Sequence, residues 1–189
     1  MNRSPGRILF LNGPSSAGKS TIARQIQALL DPPPMHLSSD LLTDGALPVR
    51  SDGHGPARWW TATRRATFTG YHRCLAAMSS AGLEVVADSL LEAPDWRREL
   101  AETLRGLDVW LVGVHCDLAE LERRELARGD RRVGEARTHL VVDEVHTFGV
   151  YDFEIDTTAI TGHAAAAAVL RSWHESSGCP TSTRALWSA

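Results

Sequence analysis

The octapeptide Gly13-Pro14-Ser15-Ser16-Ala17-Gly18-Lys19-Ser20 constrains this chain more than any other stretch. It matches the spacing GxxxxGK[ST] in full. Before it lies the apolar run from Ile8 to Leu11, and after it Ile22, Ile26 and Leu29/Leu30 recur at helical spacing. A strand that enters a glycine-rich turn and leaves as a helix aims successive backbone amides, and the positive end of the helix dipole, at one point. Such a point takes phosphate. Lys19 is also the one lysine in the chain; the other basic residues are all arginine.

Gly13, Pro14, Ser15, Ser16, Ala17, Gly18, Lys19, Ser20 and Thr21 are therefore expected to cradle a nucleoside triphosphate. Lys19 reaches the β and γ phosphates, and Ser20 holds the Mg2+ that bridges them. A guanine-reading Asn-Lys-x-Asp stretch needs a second lysine, which the chain lacks, so a GTP switch is excluded. With 189 residues the chain is short for a mechanical ATPase. A small kinase needs an acceptor pocket, a base and mobile arginines, and each has candidates.

Strands are expected over Arg7 to Asn12, Met35 to Ser38, Leu83 to Ala87, Val109 to Val114 and Phe153 to Asp156. Helices fit Lys19 to Leu30, Ala57 to Ser80, Pro94 to Arg105, Asp117 to Arg128 and Thr161 to Trp173. In the fourth of these, Leu118, Leu121 and Leu126 are expected on the buried side. Strand and helix alternating in this way imply an α/β fold: a three-layer, P-loop kinase-like domain around a mainly parallel five-stranded sheet. Residues 1–175 form that domain, with an arginine-rich lid at about 123–137 and a peripheral tail at 176–189. The long loop from Thr43 to Pro56 reads as a lid or binding loop.

Ligands of open parallel sheets bind at the carboxyl ends of the strands, so acids placed there matter. Asp40, just past the second strand, suits a general base that orients and deprotonates an acceptor hydroxyl; its competing role is to cap a short helix from Leu41. Asp88, after Val85-Val86-Ala87, suits the outer shell of Mg2+ or a contact to the acceptor hydroxyl, against simple capping of a turn. Arg124 and Arg128 sit four apart on one helix face, and Gly129 permits a break that places Arg131 on a mobile segment. Arg128 and Arg131 are read as clamps on the transferred phosphoryl group, and Arg123 and Arg137 as solvated charges. Trp59, Trp60, Phe68 and Tyr71 could wall an apolar acceptor or simply face the core.

Basic and acidic residues number 20 and 23, a balance that argues against a nucleic-acid partner. The eight histidines form no metal-ligand spacing, and His54 in the long loop has at most an acceptor contact. No apolar run reaches membrane-spanning length or forms a secretory leader, so a cytoplasmic setting is expected. A homo-oligomer is left open.

ILFLNGPSSAGKS, SDLL with Leu47-Pro48, VVADSLL, LVGVHCDLAELERRELARGDR and YDFEIDTT together resemble the chloramphenicol phosphotransferase family of P-loop kinases, over most of Ile8 to Leu170. The resemblance implies ATP-dependent phosphorylation of a primary hydroxyl of that antibiotic. It places Asp40 at the family's general base, Lys19 and Ser20 at the ATP and magnesium site, and Arg128 and Arg131 in its lid. Where the family often has two acids, this chain has Ala87-Asp88. The alternative is a kinase of another metabolite, a sugar or nucleoside, or a nucleotide-dependent regulatory module that transfers nothing.

Overall fold

The computed structural model describes residues 4–43, 55–92, 94–128, 134–147, 150–177 and 185–187. Arg131, His54 and Leu47-Pro48 lie outside the described residues, as does most of the loop expected from Thr43 to Pro56.

Five strands, β1 (Ile8–Asn12), β2 (Met35–Ser38), β3 (Val85–Ser89), β4 (Val109–His115) and β5 (Phe153–Asp156), form one sheet in the order β2-β3-β1-β4-β5. All four pairings are parallel. Helices α1 (Lys19–Leu29), α2 (Asp40–Thr43), α3 (Gly55–Ser80), α4 (Pro94–Thr103), α5 (Leu118–Arg128), α6 (Glu135–Val141) and α7 (Gly162–Glu175) supply the connections. The three-layer expectation holds.

The period of two in β1 sorts its side chains between two cores. Leu9 and Leu11 join Ile22 and Ile26 of α1 with Val169 and Trp173 of α7. Ile8 and Phe10 join Phe68, Tyr71 and Leu75 of α3 with Leu100 of α4. Both faces of β1 are thus fully buried, as the continuous apolar run demands. Ala87 is fully buried in the second core.

Three expectations need correction. Leu126 is 67% exposed, while its neighbour Glu125 is fully buried. The short helix α6 has no counterpart among the expected helices, since its seven residues offer only the Ala136–Leu140 pair as a core-facing period. Residues Ala185–Trp187 of the tail form a 3-10 turn that is not peripheral: Leu186 is buried in the second core and Ala185 O accepts from Arg97 Nη2 at 2.6 Å.

Among the described residues, no helix is long and apolar enough to cross a membrane.

Candidate active site

The site begins where β1 ends. A Cβ on Gly13 would stand 2.3 Å from the Val114 carbonyl oxygen of β4, so glycine alone lets the chain turn out of the sheet here. Gly18 takes the left-handed conformation, φ 94°, that opens α1. Within the turn, Lys19 Nζ donates to the carbonyl oxygens of Gly13 and Pro14, both at 2.8 Å.

The outer side of the loop is braced by residues far away in sequence. Arg124 Nη1 donates to Ser16 O at 3.4 Å and to Thr157 Oγ1 at 3.2 Å, while Nη2 donates to Thr157 O at 2.7 Å. Thr157 Oγ1 in turn donates to Ala17 O at 2.9 Å. Sequence reasoning placed Arg124 and Arg128 on one helix face and gave the phosphate role to Arg128. Both line the cleft, but Arg124 holds the loop. Arg123 and Arg137 pair with Glu120 and Glu122 at the surface, as solvated charges do.

Register carries Asp88 to the same place. It lies between Ser38 of β2 and Leu11 of β1 and is 2% exposed. Burial pushes its carboxyl up. Hydrogen bonds from His36, Ser20 and Ser38, with the charge of Lys19, outweigh that cost and hold the group below its ordinary value. His36 Nε2 is 3.2 Å from Oδ2. Lys19, Ser20 and Asp88 therefore form one constellation. Asp40 opens α2, with Ser39 rather than Asp40 preceding the helix, and lines the same cleft. Of the candidate wall aromatics, Trp60 and Phe68 line it. Tyr71 is fully buried beneath it, its hydroxyl donating to Leu37 O at 2.8 Å and to Asp88 O at 3.3 Å.

The cleft encloses about 1220 Å³. That exceeds the roughly 300–1000 Å³ typical of a single small-ligand site, and leaves room for a nucleotide and a second molecule.

Another part of the cleft wall is built by α3, α6 and the segment after β3. Arg64 pairs with Glu92, its guanidinium 5.6 Å from the Trp60 ring and 5.9 Å from Trp96. Burial lowers its pKa, while Asp143 and Glu135 pull it back up. On α6, His139 Nδ1 accepts the Ser15 amide at 3.1 Å. Buried Glu125 fixes the start of that helix by accepting the amides of Gly134 at 2.9 Å and Ala136 at 2.7 Å. Among the described residues its partners are these amides and no arginine. No sequence signal marked Arg64, Glu92, Glu125 or His139, because nothing local joins them.

Glu92, His139 and Asp143 bring ligand atoms within 4.8 Å of one another. Their chemistry does not suit a cation bound by the histidine. A Nδ1 that accepts an amide leaves the proton of the neutral ring on Nε2, so neither nitrogen offers a lone pair to a metal. Arg64 already occupies Glu92. The Ser20 and Asp88 oxygens, beside the phosphate loop, are the hard donors that suit Mg2+.

A family model described as chloramphenicol phosphotransferase-like protein matches residues 6–174. A Mycobacterium tuberculosis H37Rv protein named "Putative O-phosphotransferase Rv2636" is 32% identical, over 93% of this chain and 84% of its own length. A like-named protein of strain CDC 1551 gives the same figures. Among solved structures, the M. tuberculosis APS kinase in complex with AMPPNP and APS superposes with a TM-score of 0.68 at 18% identity, over 90% of this chain and 98% of that one. A gluconokinase from Sinorhizobium meliloti 1021 gives 0.63 at 18% identity, over 92% and 94%. The fold is that of small-molecule kinases.

Proposed function

The chain belongs to the chloramphenicol phosphotransferase-like protein family, and from that premise we propose that it transfers the γ-phosphoryl group of ATP to a hydroxyl of a small molecule. One observation carries the reading: Lys19, Ser20 and Asp88 share a single cleft with Asp40, and the cleft has space for both reactants.

The loop amides and Lys19 bind the triphosphate, and the arginines of α5 draw charge onto its terminal oxygens. Ser20 and Asp88 would hold Mg2+, which when bound neutralises charge on the β and γ phosphates. Asp40 takes the acceptor's hydroxyl proton as the acceptor oxygen bonds to the γ phosphorus. The bond from that phosphorus to the β–γ bridging oxygen breaks, and its electron pair leaves with ADP. Arg128, and Arg131 from the lid, steady the group in transit.

A metabolite hydroxyl suits the cleft better than the antibiotic does. Beside Trp60 and Phe68 the wall carries the Arg64–Glu92 ion pair with Glu135 and His139, and such a surface asks for a polar partner. The fold neighbours bear the names of kinases with differing acceptors, in keeping with that reading.

Acceptor-dependent ADP release, with the phosphorylated product detected by mass, tests the proposal. D40N is expected to lower kcat by about 10² or more while leaving the KM for ATP nearly unchanged. An unchanged kcat removes Asp40 from the role of base. Slow ATP hydrolysis with no product from a broad alcohol panel, chloramphenicol included, would point to the regulatory module instead.

A further inference from the structure

β2 is an edge strand of the sheet, and two of its side chains meet Asp88 from one face. Ser38 pairs with Asp88 in register, and His36 stands two residues before it, where the period of two returns the side chain to the same face. His36 lines the cleft with 14% of its side chain exposed, and its Nε2 lies 3.2 Å from Asp88 Oδ2. An ionised carboxylate only accepts, so Nε2 carries the hydrogen whether the ring is neutral or protonated. Of the contacts that keep Asp88 charged against its burial, the one from His36 counts most, ahead of those from Ser20, Ser38 and Lys19.

The hydrogen-bond donors to this carboxylate come from two elements, Ser20 from the first turn of α1 and His36 with Ser38 from β2. Ser38 has a further task, because its Oγ also accepts the Asp40 amide at 3.3 Å. Ser20, with its single proton directed to Asp88, keeps both oxygen lone pairs for a cation. That division holds only while the Asp88 carboxylate stays turned toward Ser20. Rotation about the last torsion of an aspartate is soft, and the hydrogen bond from the His36 ring resists it.

We propose that His36 is a positioning residue for magnesium: its Nε2–H holds the Asp88 carboxylate turned toward Ser20, and Mg2+ binding beside the triphosphate weakens when that bond is lost. This role rests on the reading of Ser20 and Asp88 as the Mg2+ oxygens above, and it needs nothing from the acceptor. A histidine that served only the sheet edge would add stability and leave metal affinity alone. Hydrogen-bond partners of a ligating carboxylate act on that affinity itself.

Calorimetry reads the role without turnover. A non-hydrolysable ATP analogue is titrated into acceptor-free protein with Mg2+ and again with EDTA, and the ratio of the two Kd values measures what the metal contributes. H36L removes the donor, and H36Q returns an N–H at a similar reach. H36L is expected to shrink the metal's contribution by about tenfold or more and to leave the EDTA Kd in place, while H36Q stays within about threefold of wild type. Each variant is checked for a native unfolding transition. Should H36L misfold, H36N, whose amide ends short of Asp88, takes its place. A Mg2+ contribution that H36L or H36N leaves undiminished overturns the role of His36 and keeps the magnesium site. A loss in H36Q as large as that in H36L also overturns it, because the hydrogen bond is then not the cause. Wild-type protein that binds the analogue equally well with Mg2+ and with EDTA overturns the magnesium site and the role of His36 together.

Discussion

The backbone amide of Ser15 donates to Nδ1 of His139 at 3.1 Å, across 124 residues of sequence, and both groups are buried. One hydrogen bond thereby fixes α6 against the phosphate loop. H139A removes the acceptor of that buried amide and is expected to cost about 1–3 kcal/mol of stability. H139Q, whose side-chain oxygen can accept, should recover part of that loss. Urea unfolding of the two variants measures the difference, and equal stabilities would show that the contact contributes nothing.

Asp88 gathers His36, Ser20, Ser38 and Lys19 around one buried carboxylate. D88N keeps the shape and removes the charge. Its kcat with ATP and Mg2+ is expected to fall by about two orders of magnitude, with a higher Mg2+ concentration needed for half-maximal rate. Because the folded pKa lies below the ordinary 3.8, the charged group adds stability that is fully present above that pH and is lost as pH falls through the folded value. The wild-type protein should therefore lose more stability than D88N below pH 3.8. Acid titration of unfolding decides; matching acid limbs would refute the lowered pKa.

Glu125 holds the first turn of α6 through the amides of Gly134 and Ala136, and is itself fully buried. In E125A both amides lose their acceptor, a loss expected to be worth about 2–3 kcal/mol locally. Hydrogen exchange at the Ala136 amide should accelerate by more than tenfold, while amides of β1 keep their protection. Unchanged exchange at Ala136 would argue that water or another group replaces the carboxylate at no cost.

His72 is 1% exposed within α3, and its Nδ1 lies 3.7 Å from Glu99 Oε1, beyond good hydrogen-bond range. Burial lowers its pKa from 6.5 to about 4, against the pull of Glu99. Between those values the unfolded chain binds the proton and the folded one does not. Stability is thus fully present above pH 6.5 and falls toward pH 4, by about 1.4 kcal/mol per pH unit for this group. His72→Leu should remove that slope, and chemical unfolding from pH 7 to 4 compares the two. Parallel profiles would rule out a neutral His72.

Not every contact needed the third dimension to be foreseen. β1, the phosphate loop and α1 form one continuous stretch whose apolar run, glycines and helical spacing act within a few residues of one another. The strand-end acids were legible for a similar reason. Asp88 follows the apolar Val85-Val86-Ala87 within β3 and Asp40 stands two residues past β2, and parallel pairing leaves those ends side by side.

The same local logic misplaced Leu126. Spacing alone would bury it, yet the buried position on that turn belongs to Glu125, whose carboxylate answers two amides eleven and nine residues on. Arg124 was visible as a face-mate of Arg128, while its grip on Ser16 and Thr157 was not.

The amino-acid order thus determined the glycine-rich turn between β1 and α1, the parallel sheet and the acids at its edge, since hydrogen bonding and periodicity between near neighbours suffice to specify them. The cleft wall around Arg64 and His139 was decided by tertiary structure alone. Arg64, Glu92, His139 and Asp143 come from three separate parts of the chain, and their charges acquire meaning only when packing brings them together out of water, where pairing and desolvation become strong.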